Sequence, residues 1–149
     1  MIKVLFLCHG NICRSPMAEF IMKEELRKRN VLDKFEINSM ATSSEAVGED
    51  MFYKSKNILD KYNVPYTKRV ARRVTQSEYD YYDYVIIMDE RNVEYLKGRI
   101  EDKDNKIHKL LDYTDRKGDI SDPWYTDDFE RAYQDIKEGI DGFIKYLGY

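Results

Sequence analysis

The residues with the clearest chemical potential are Cys8 and Arg14, which lie six positions apart near the start of the chain. They enclose a short loop, HGNIC, which follows the apolar run Ile2–Leu7. The backbone N–H groups of a loop that leads into a helix form a concave cluster of partial positive charge, which binds anions. An arginine adds a planar fork of donors that can hold two phosphate oxygens. The segment therefore predicts a loop that binds phosphoryl groups.

The individual loop residues suit this chemistry. Gly10 and Asn11 tolerate the positive φ angles that a loop wrapped around an anion requires. Ser15 is expected to cap the following helix, with Pro16 in its first turn, and its hydroxyl can also donate a hydrogen bond to the sulfur of Cys8. The field of such a loop stabilises a thiolate over a thiol, and a thiolate can attack the phosphorus atom that the loop holds. The pattern predicts a covalent intermediate on the cysteine.

Other interpretations of the same residues fit less well. The segment has neither the Gly-Lys-Ser/Thr of a nucleotide-binding P-loop nor the G-x-G-x-x-G of a dinucleotide fold. A zinc site built from Cys8, His9, Cys13 and His108 is disfavoured, because the spacing matches no zinc finger and the chain has no second cysteine pair. For Cys13 two interpretations stay open. It is either a small apolar wall residue or a partner that forms a disulfide with Cys8 under oxidation and protects it from sulfinic acid formation.

A general acid is also needed, because an alkoxide or phenoxide that leaves phosphorus must receive a proton. The polar segment 112–128 contains six aspartates, most of which are expected to form caps and turns. Asp122 differs, since Pro123 stiffens the chain after it and Trp124 and Tyr125 can form an aromatic slot beside it. Spacing alone leaves the choice of the acid open.

Apolar runs that alternate with amphipathic segments predict an α/β domain over residues 1–149, with a parallel sheet covered by helices on both faces. Strands are expected at 2–7, 35–39, 82–89 and 106–111, and helices at 17–29, 50–63, 90–99 and from about 127, with Thr126 as the cap of the last one. In such sheets, ligands bind beyond the carboxyl ends of the strands. Cys8 and Asp89 each occupy such an end.

Composition limits the classes of partner. The chain has 149 residues, 42% of them hydrophobic and 36% charged, as in an ordinary globular protein. The net charge of −3 gives no electrostatic reason to expect nucleic acid as a partner. No apolar run approaches the roughly 18–20 residues of a membrane span, and the start of the chain does not have the pattern of a signal peptide. We expect a cytoplasmic monomer whose two cysteines form no structural disulfide framework.

Four sequence blocks, VLFLCHGNICRSPMAE, VARRVT, YDYVIIMDERN and DPWY, resemble the low-molecular-weight protein tyrosine phosphatases in their order and spacing. The resemblance implies a three-layer α/β sandwich of the phosphotyrosine phosphatase I-like type, with a four-stranded parallel sheet flanked by helices. It implies Cys8 as the nucleophile, Arg14 as the transition-state clamp, and Asp122 as general acid and then general base. It implies no metal or organic cofactor. The implied substrates are tyrosine-phosphorylated proteins of signalling pathways, with inorganic phosphate as the product.

The resemblance also assigns supporting roles. Asn11 would hold the shape of the loop by bonding to Ser39, Ser15 would assist the thiolate, and Trp124 and Tyr125 would form walls of the substrate cleft. The residues of the phosphate-binding loop itself would be His9, Gly10, Asn11, Ile12 and Cys13.

Two positions depart from the pattern of that family. Glu45 stands where many members have an aromatic residue or leucine in a wall of the cleft, so it would repel acidic peptides and attract basic ones. Arg69 stands where members often have a histidine, and we expect it to form an ion pair with Asp89. Both departures affect the expected substrate range more than the reaction type.

Three other functions are compatible with parts of this pattern. Arsenate reductases of the same fold use further cysteines, which this chain does not have, although a glutathione-assisted variant stays open. Protein-arginine phosphatases resemble this chain but carry threonine at the position of Ile12, so the isoleucine favours an aromatic substrate. A non-catalytic phosphate-binding module would usually have lost the cysteine, the arginine or the acid.

Overall fold

The computed structural model describes all 149 residues, and its centre is a sheet of four parallel strands. The strands are β1 (Ile2–Cys8), β2 (Phe35–Ala41), β3 (Tyr84–Ile87) and β4 (Ile107–Lys109). Their spatial order is β2-β1-β3-β4, so the chain starts in the middle of the sheet and builds outward in both directions. The predicted α/β architecture with a four-stranded parallel sheet is confirmed.

The apolar run of β1 is continuous because both of its faces are buried. Val4, Phe6 and Cys8 face the larger of two hydrophobic cores, whereas Leu5 and Leu7 face the smaller one. Strand β1 therefore holds its last residue, Cys8, between the two layers of helices.

The chain forms six α-helices, five of which pack against the sheet. They are α1 (Arg14–Lys28), α2 (Tyr53–Lys61), α3 (Gln76–Tyr81), α4 (Glu90–Leu96), α5 (Pro123–Thr126) and α6 (Phe129–Tyr146), with 3-10 turns at Leu32–Lys34 and Leu110–Tyr113. Helices α1, α2 and α6 contribute to the larger core, and α3 and α4 to the smaller one. None of the helices combines the length and the apolar composition that crossing a bilayer requires.

The start of α1 differs from the prediction. The helix begins at Arg14, so Ser15 lies inside its first turn and does not cap it. The capping position belongs to Cys13, whose side chain makes no capping hydrogen bond. The backbone N–H of Ser15 is one of the first-turn donors that have no partner within the helix, and it donates to Cys8 Sγ at 3.3 Å.

The prediction of Thr126 as the cap of the last helix is wrong. Asp128 caps α6, and its carboxylate accepts from the N–H of Arg131 at 2.9 Å. Thr126 instead ends the short helix α5, after which Asp127 adopts a left-handed conformation with φ 59°. This reversal of the chain separates α5 from α6 and moves the start of α6 two residues later than expected.

Candidate active site

The candidate site is a cleft of about 230 Å³ at the carboxyl end of β1. Strand β1 leads through α1 to its neighbour β2, whereas β3, its neighbour on the other side, leads through α4 to β4. The two connections diverge beside the carboxyl end of β1, where α/β sheets commonly bind ligands. The cleft is lined by Cys8, His9, Gly10, Ile12, Cys13, Arg14, Glu45, Ala46, Glu49, Asp122, Trp124 and Tyr125.

Cys8 lies at the bottom of the loop and is hydrogen-bonded to the start of α1. Its Sγ accepts the backbone N–H of Ser15 at 3.3 Å and lies 3.0 Å from Ser15 Oγ. The side chain is buried against the first turn of a fifteen-residue helix. Donors and a helix N-terminus around one sulfur are the arrangement that stabilises thiolates in proteins.

Asn11 fixes the shape of the loop from within. Its φ of 59° is left-handed, and its side chain is completely buried. Its Nδ2 donates to Ser15 Oγ at 2.8 Å and to Ser39 Oγ at 3.0 Å. Ser39 in turn donates to Glu19 Oε1 at 2.7 Å. The expected contact between Asn11 and Ser39 is therefore present, and it ties the loop to β2 and α1.

Arg14 is buried and held by two acceptors. Its Nη1 donates to Asp89 Oδ2 at 2.6 Å and to the carbonyl oxygen of Ile120 at 2.8 Å. Burial opposes its charge, but the negative charges of Cys8, Asp122 and Asp89 outweigh burial and raise the pKa of Arg14. Its Nε is buried without a protein acceptor, so the guanidinium retains a donor for an oxyanion.

Asp122 lines the same cleft, although it lies more than a hundred residues after Cys8 in the sequence. Its Oδ1 caps the short helix α5 by accepting the N–H of Trp124 at 3.0 Å. Its Oδ2 lies 3.4 Å from Nη2 of Arg14. The structure thus brings one carboxylate of the predicted acidic segment to the cysteine and the arginine.

Aromatic and acidic side chains form the rim. Trp124 is 56% exposed and Tyr125 67% exposed, and both line the cleft. The Trp124 ring packs edge-on against Phe52 at a centroid distance of 5.0 Å. Glu45 is also at the rim, where its Oε2 lies 2.7 Å from His9 Nε2. The mouth of the cleft can therefore contact a planar ring and carries acidic groups.

Comparison with known proteins agrees with this geometry. Residues 3–148 match the family model "Low molecular weight phosphotyrosine protein phosphatase". The chain belongs to this phosphatase family.

Related proteins cover almost the whole of this phosphatase. The low molecular weight protein-tyrosine-phosphatase PtpA of Staphylococcus aureus is 35% identical over 148 residues, which are 99% of this chain and 94% of that protein. The crystal structure of YfkJ from Bacillus subtilis has a TM-score of 0.94 at 34% identity, with 99% and 95% of the two chains covered. That of SP-PTP, a low molecular weight protein tyrosine phosphatase from Streptococcus pyogenes, has a TM-score of 0.85 at 36% identity, with 99% and 93% covered.

The expected ion pair between Arg69 and Asp89 is not formed in this phosphatase. Asp89 pairs with Arg14 and caps α4, accepting the N–H of Asn92 at 3.1 Å. The Arg69 guanidinium instead donates from Nη2 to Asn11 Oδ1. The backbone N–H of Arg69 donates to Asp50 Oδ1 at 3.3 Å, so Arg69 is anchored near the loop after β2 and reaches Asn11.

The two cysteines of this phosphatase line the same cleft and are not joined by a disulfide. Burial is the main cause that raises the pKa of Cys13 to about 12, and the negative charges of Cys8 and Asp122 add to it. A thiol with this pKa stays protonated at neutral pH. Its pairing with Cys8 under oxidation stays a prediction.

Three further residues of the site carry no signal in the sequence. Glu49 lines the cleft together with Glu45. The backbone N–H of Phe52 donates to the Ile12 carbonyl at 2.8 Å, which ties the start of α2 to the loop between β1 and α1. Arg91 lies with its guanidinium carbon 5.7 Å from the centre of the Tyr125 ring. These residues come close only through tertiary structure, and although Arg91 lies within the block YDYVIIMDERN, nothing in the sequence assigns it a role.

Proposed function

We propose that this phosphatase hydrolyses phosphotyrosine in proteins, and small aryl phosphates, through a phosphocysteine on Cys8. The observation that carries the proposal is the presence of Cys8, Arg14 and Asp122 in one cleft, with Arg14 Nη2 3.4 Å from Asp122 Oδ2. A thiolate, a fixed cation and a carboxyl group are the groups that a two-step phosphoryl transfer requires.

In the first step, the Cys8 thiolate attacks phosphorus, and the bond between phosphorus and the phenolic oxygen breaks. Arg14 and the loop N–H groups hold the equatorial oxygens, where negative charge is spread in the transition state. The carboxyl group of Asp122 gives its proton to the leaving phenolic oxygen. The products are a free tyrosine side chain, a phosphocysteine and an Asp122 carboxylate.

In the second step, a water molecule attacks the phosphorus of the phosphocysteine. The Asp122 carboxylate takes one proton from this water, and the sulfur–phosphorus bond breaks. Inorganic phosphate leaves, and the Cys8 thiolate and the Asp122 carboxyl group are restored. The hydrogen bonds from Ser15 to Cys8 Sγ support this step, because they stabilise the thiolate as the leaving group.

The aromatic rim supports phosphotyrosine as the substrate class. Ile12 in the cleft offers an apolar surface, and Trp124 and Tyr125 offer ring faces on which a phenyl group can pack. Ile12 has no hydroxyl group to orient a water molecule toward a phosphoramidate, as the threonine at this position in protein-arginine phosphatases can. We therefore rank phosphoarginine, the second candidate substrate, below phosphotyrosine.

The test compares hydrolysis of a phosphotyrosine peptide with that of a phosphoarginine peptide of the same sequence, under reducing conditions. Phosphotyrosine is expected to be preferred, and Cys8→Ser is the inactive control. A preference for phosphoarginine would refute the argument from Ile12 but would leave the thiolate chemistry in place. Inactivity on both, together with reduction of arsenate in the presence of glutathione, would replace the proposal with a reductase.

A further inference from the structure

The mouth of the cleft carries opposite charges on its two sides. We propose that Arg91 is a specificity-determining residue, which binds an acidic side chain on one flank of the phosphotyrosine, while Glu45 and Glu49 bind a basic side chain on the other flank. The cleft therefore distinguishes a substrate segment from the same segment with its flanking charges exchanged. This inference rests on the proposed phosphotyrosine activity and names the kind of segment that carries the phosphotyrosine.

The order of the strands places these charges on opposite sides of Cys8. Glu45 and Glu49 belong to the loop after β2, whereas Arg91 belongs to the first turn of α4, after β3. Strands β2 and β3 are the two neighbours of β1, and β1 ends at Cys8. The loop after β2 stays on its own side, because the N–H of Thr42 donates to the Cys8 carbonyl at 2.9 Å. A phosphate bound over Cys8 therefore has the acidic residues on one side and the cation on the other.

Arg91 borders the cleft on the side of Tyr125. Its guanidinium carbon lies 5.7 Å from the centre of the Tyr125 ring, a cation–π contact that holds the charged group at the rim. Arg91 also lines a small cavity together with His9, Arg14 and Asp122, and these three residues line the main cleft as well. The charge of Arg91 therefore lies beside the position of a bound phosphotyrosine.

No carboxylate of the protein neutralises Arg91. The two glutamates of its own helix are paired with lysines: Glu90 Oε2 lies 3.1 Å from Lys109 Nζ, and Glu94 Oε1 lies 3.1 Å from Lys97 Nζ. Arg91 is exposed and forms no ion pair of its own. An acidic side chain of a substrate can therefore pair with Arg91 without displacing another carboxylate.

The opposite wall of the cleft is acidic and held in place by backbone hydrogen bonds. Glu49 lines the cleft with Glu45, is exposed and forms no ion pair. The Glu49 carbonyl accepts the N–H of Ala71 at 2.7 Å, and the Ala71 carbonyl accepts the N–H of Gly48 at 2.8 Å. The loop therefore presents its two carboxylates from a backbone that is fixed on this side.

His9 lies between the two groups of charge. Its Nε2 is 2.7 Å from Glu45 Oε2, and its ring packs edge-on against Tyr95 of α4 at a centroid distance of 4.5 Å. Because the imidazole fills this space, Glu45 and Arg91 do not pair with each other, and both stay available to a substrate. Unlike charges across an interface favour binding and like charges disfavour it, so exchanging the flanking charges of a substrate is unfavourable on both sides.

The test compares two phosphotyrosine peptides of identical composition. One has two glutamates before the phosphotyrosine and two lysines after it, and the other has these residues exchanged. Each side of the rim is expected to contribute about 2- to 5-fold in kcat/KM, so the two peptides should differ by about 4- to 25-fold at low ionic strength. In 1 M sodium chloride the screening length falls to about 3 Å, and the difference should fall below about twofold. Equal values of kcat/KM at low ionic strength would overturn the proposal.

Variants of Arg91 assign the effect to its charge. Arg91→Gln should reduce the ratio between the peptides to about 2- to 5-fold, the part that the two glutamates contribute. Arg91→Lys keeps the charge without the planar group over Tyr125 and should retain most of the ratio. Lys97→Gln, which removes an exposed cation just after α4, should leave the ratio unchanged. If Arg91→Gln lowers kcat/KM equally for both peptides, Arg91 only supports the Tyr125 ring, and the proposal is overturned.

A binding measurement separates this inference from the proposed activity. In Cys8→Ser, isothermal titration calorimetry gives the Kd of both peptides without turnover, and the two values should again differ by about 4- to 25-fold. If the peptides are hydrolysed at equal rates, the proposed activity stands and this inference fails. If neither peptide is hydrolysed, the proposed activity fails, and equal Kd values for the two peptides would overturn the role of Arg91 separately.

Discussion

Replacing Asp122 with asparagine isolates the proton that this residue is proposed to transfer. Asparagine caps helices about as well as aspartate, so the hydrogen bond from the N–H of Trp124 to Oδ1, and with it α5, should survive. The change removes the transferable proton and the charge that lies 3.4 Å from Arg14 Nη2. The effect on rate therefore reports on chemistry, with little contribution from folding.

The magnitude follows from the acidity of the leaving group. General acid catalysis by a positioned side chain contributes about 10²- to 10⁴-fold. A tyrosine phenol, with a pKa of about 10, needs most of that assistance. We expect kcat on a phosphotyrosine peptide to fall by roughly 10²- to 10³-fold in Asp122→Asn. A nitrophenol is a much stronger acid and leaves with little protonation, so its loss should be about tenfold or less.

The assay follows phosphate release from both substrates at one pH. Asp128→Asn is the matched control, because Asp128 caps α6 from the same loop and its side chain accepts the N–H of Arg131. This control should leave both rates within about twofold, since asparagine is an equally good cap. Equal losses on the two substrates in Asp122→Asn would refute the assignment of Asp122 as the acid.

Three further predictions concern binding, specificity and packing. Cys8→Ser should abolish turnover while vanadate still binds, as isothermal titration calorimetry can measure; retained turnover would remove Cys8 from the mechanism. Glu45→Gln should weaken the preference for peptides with basic flanking residues by about 2- to 5-fold in kcat/KM, the effect of one rim charge. The control Glu101→Gln, which lies before β4, should leave this preference unchanged. If Glu45→Gln and the unmodified protein have the same peptide preference, the role of the rim is contradicted. Gly139→Ala should destabilise the protein by about 1–3 kcal/mol, because the new Cβ would lie 2.5 Å from Leu110 Cγ. An unchanged Tm in Gly139→Ala would show that Leu110 moves aside freely.

The local parts of the site could be predicted from sequence because neighbouring residues build them. Cys8, Asn11 and Arg14 belong to one strand–loop–helix segment, in which chain connectivity alone brings the sulfur to the start of α1. Asp89 follows a parallel strand adjacent to β1, so the order of the sheet places it at the same edge. Both inferences need only local structure and the rule for parallel sheets.

The distant contacts could not be derived in this way. The choice of Asp122 among six aspartates depends on where a long loop returns to the sheet, and spacing does not encode that path. The partner of Arg69 was predicted wrongly, because Asp89 was already occupied by Arg14 and the anchor at Asp50 aims Arg69 elsewhere. A side chain as long as arginine reaches several acceptors, and only the backbone path decides among them.

Two short helices were missed for different reasons. Helix α3 begins with a capping box, in which Thr75 and Glu78 satisfy each other's backbone N–H groups. The letters TQSE carry that signal, so a search for caps would have found it. Helix α5 has four residues, which is too short for any apolar period to develop. It is defined by Asp122 at its start and by the turn of Asp127 at its end.

The central position of β1 has a consequence for how the protein becomes active. Cys8, the proposed nucleophile, lies near the start of the chain, but the strands on both sides of β1 and the proposed acid come later. Arg14 likewise has no acceptor until Asp89 and Ile120 have folded against it. A ribosome-bound or partly folded chain therefore has an unassembled cleft. Recovery of catalysis during refolding reports completion of the whole sheet, since contacts so distant in sequence are among the slowest to form.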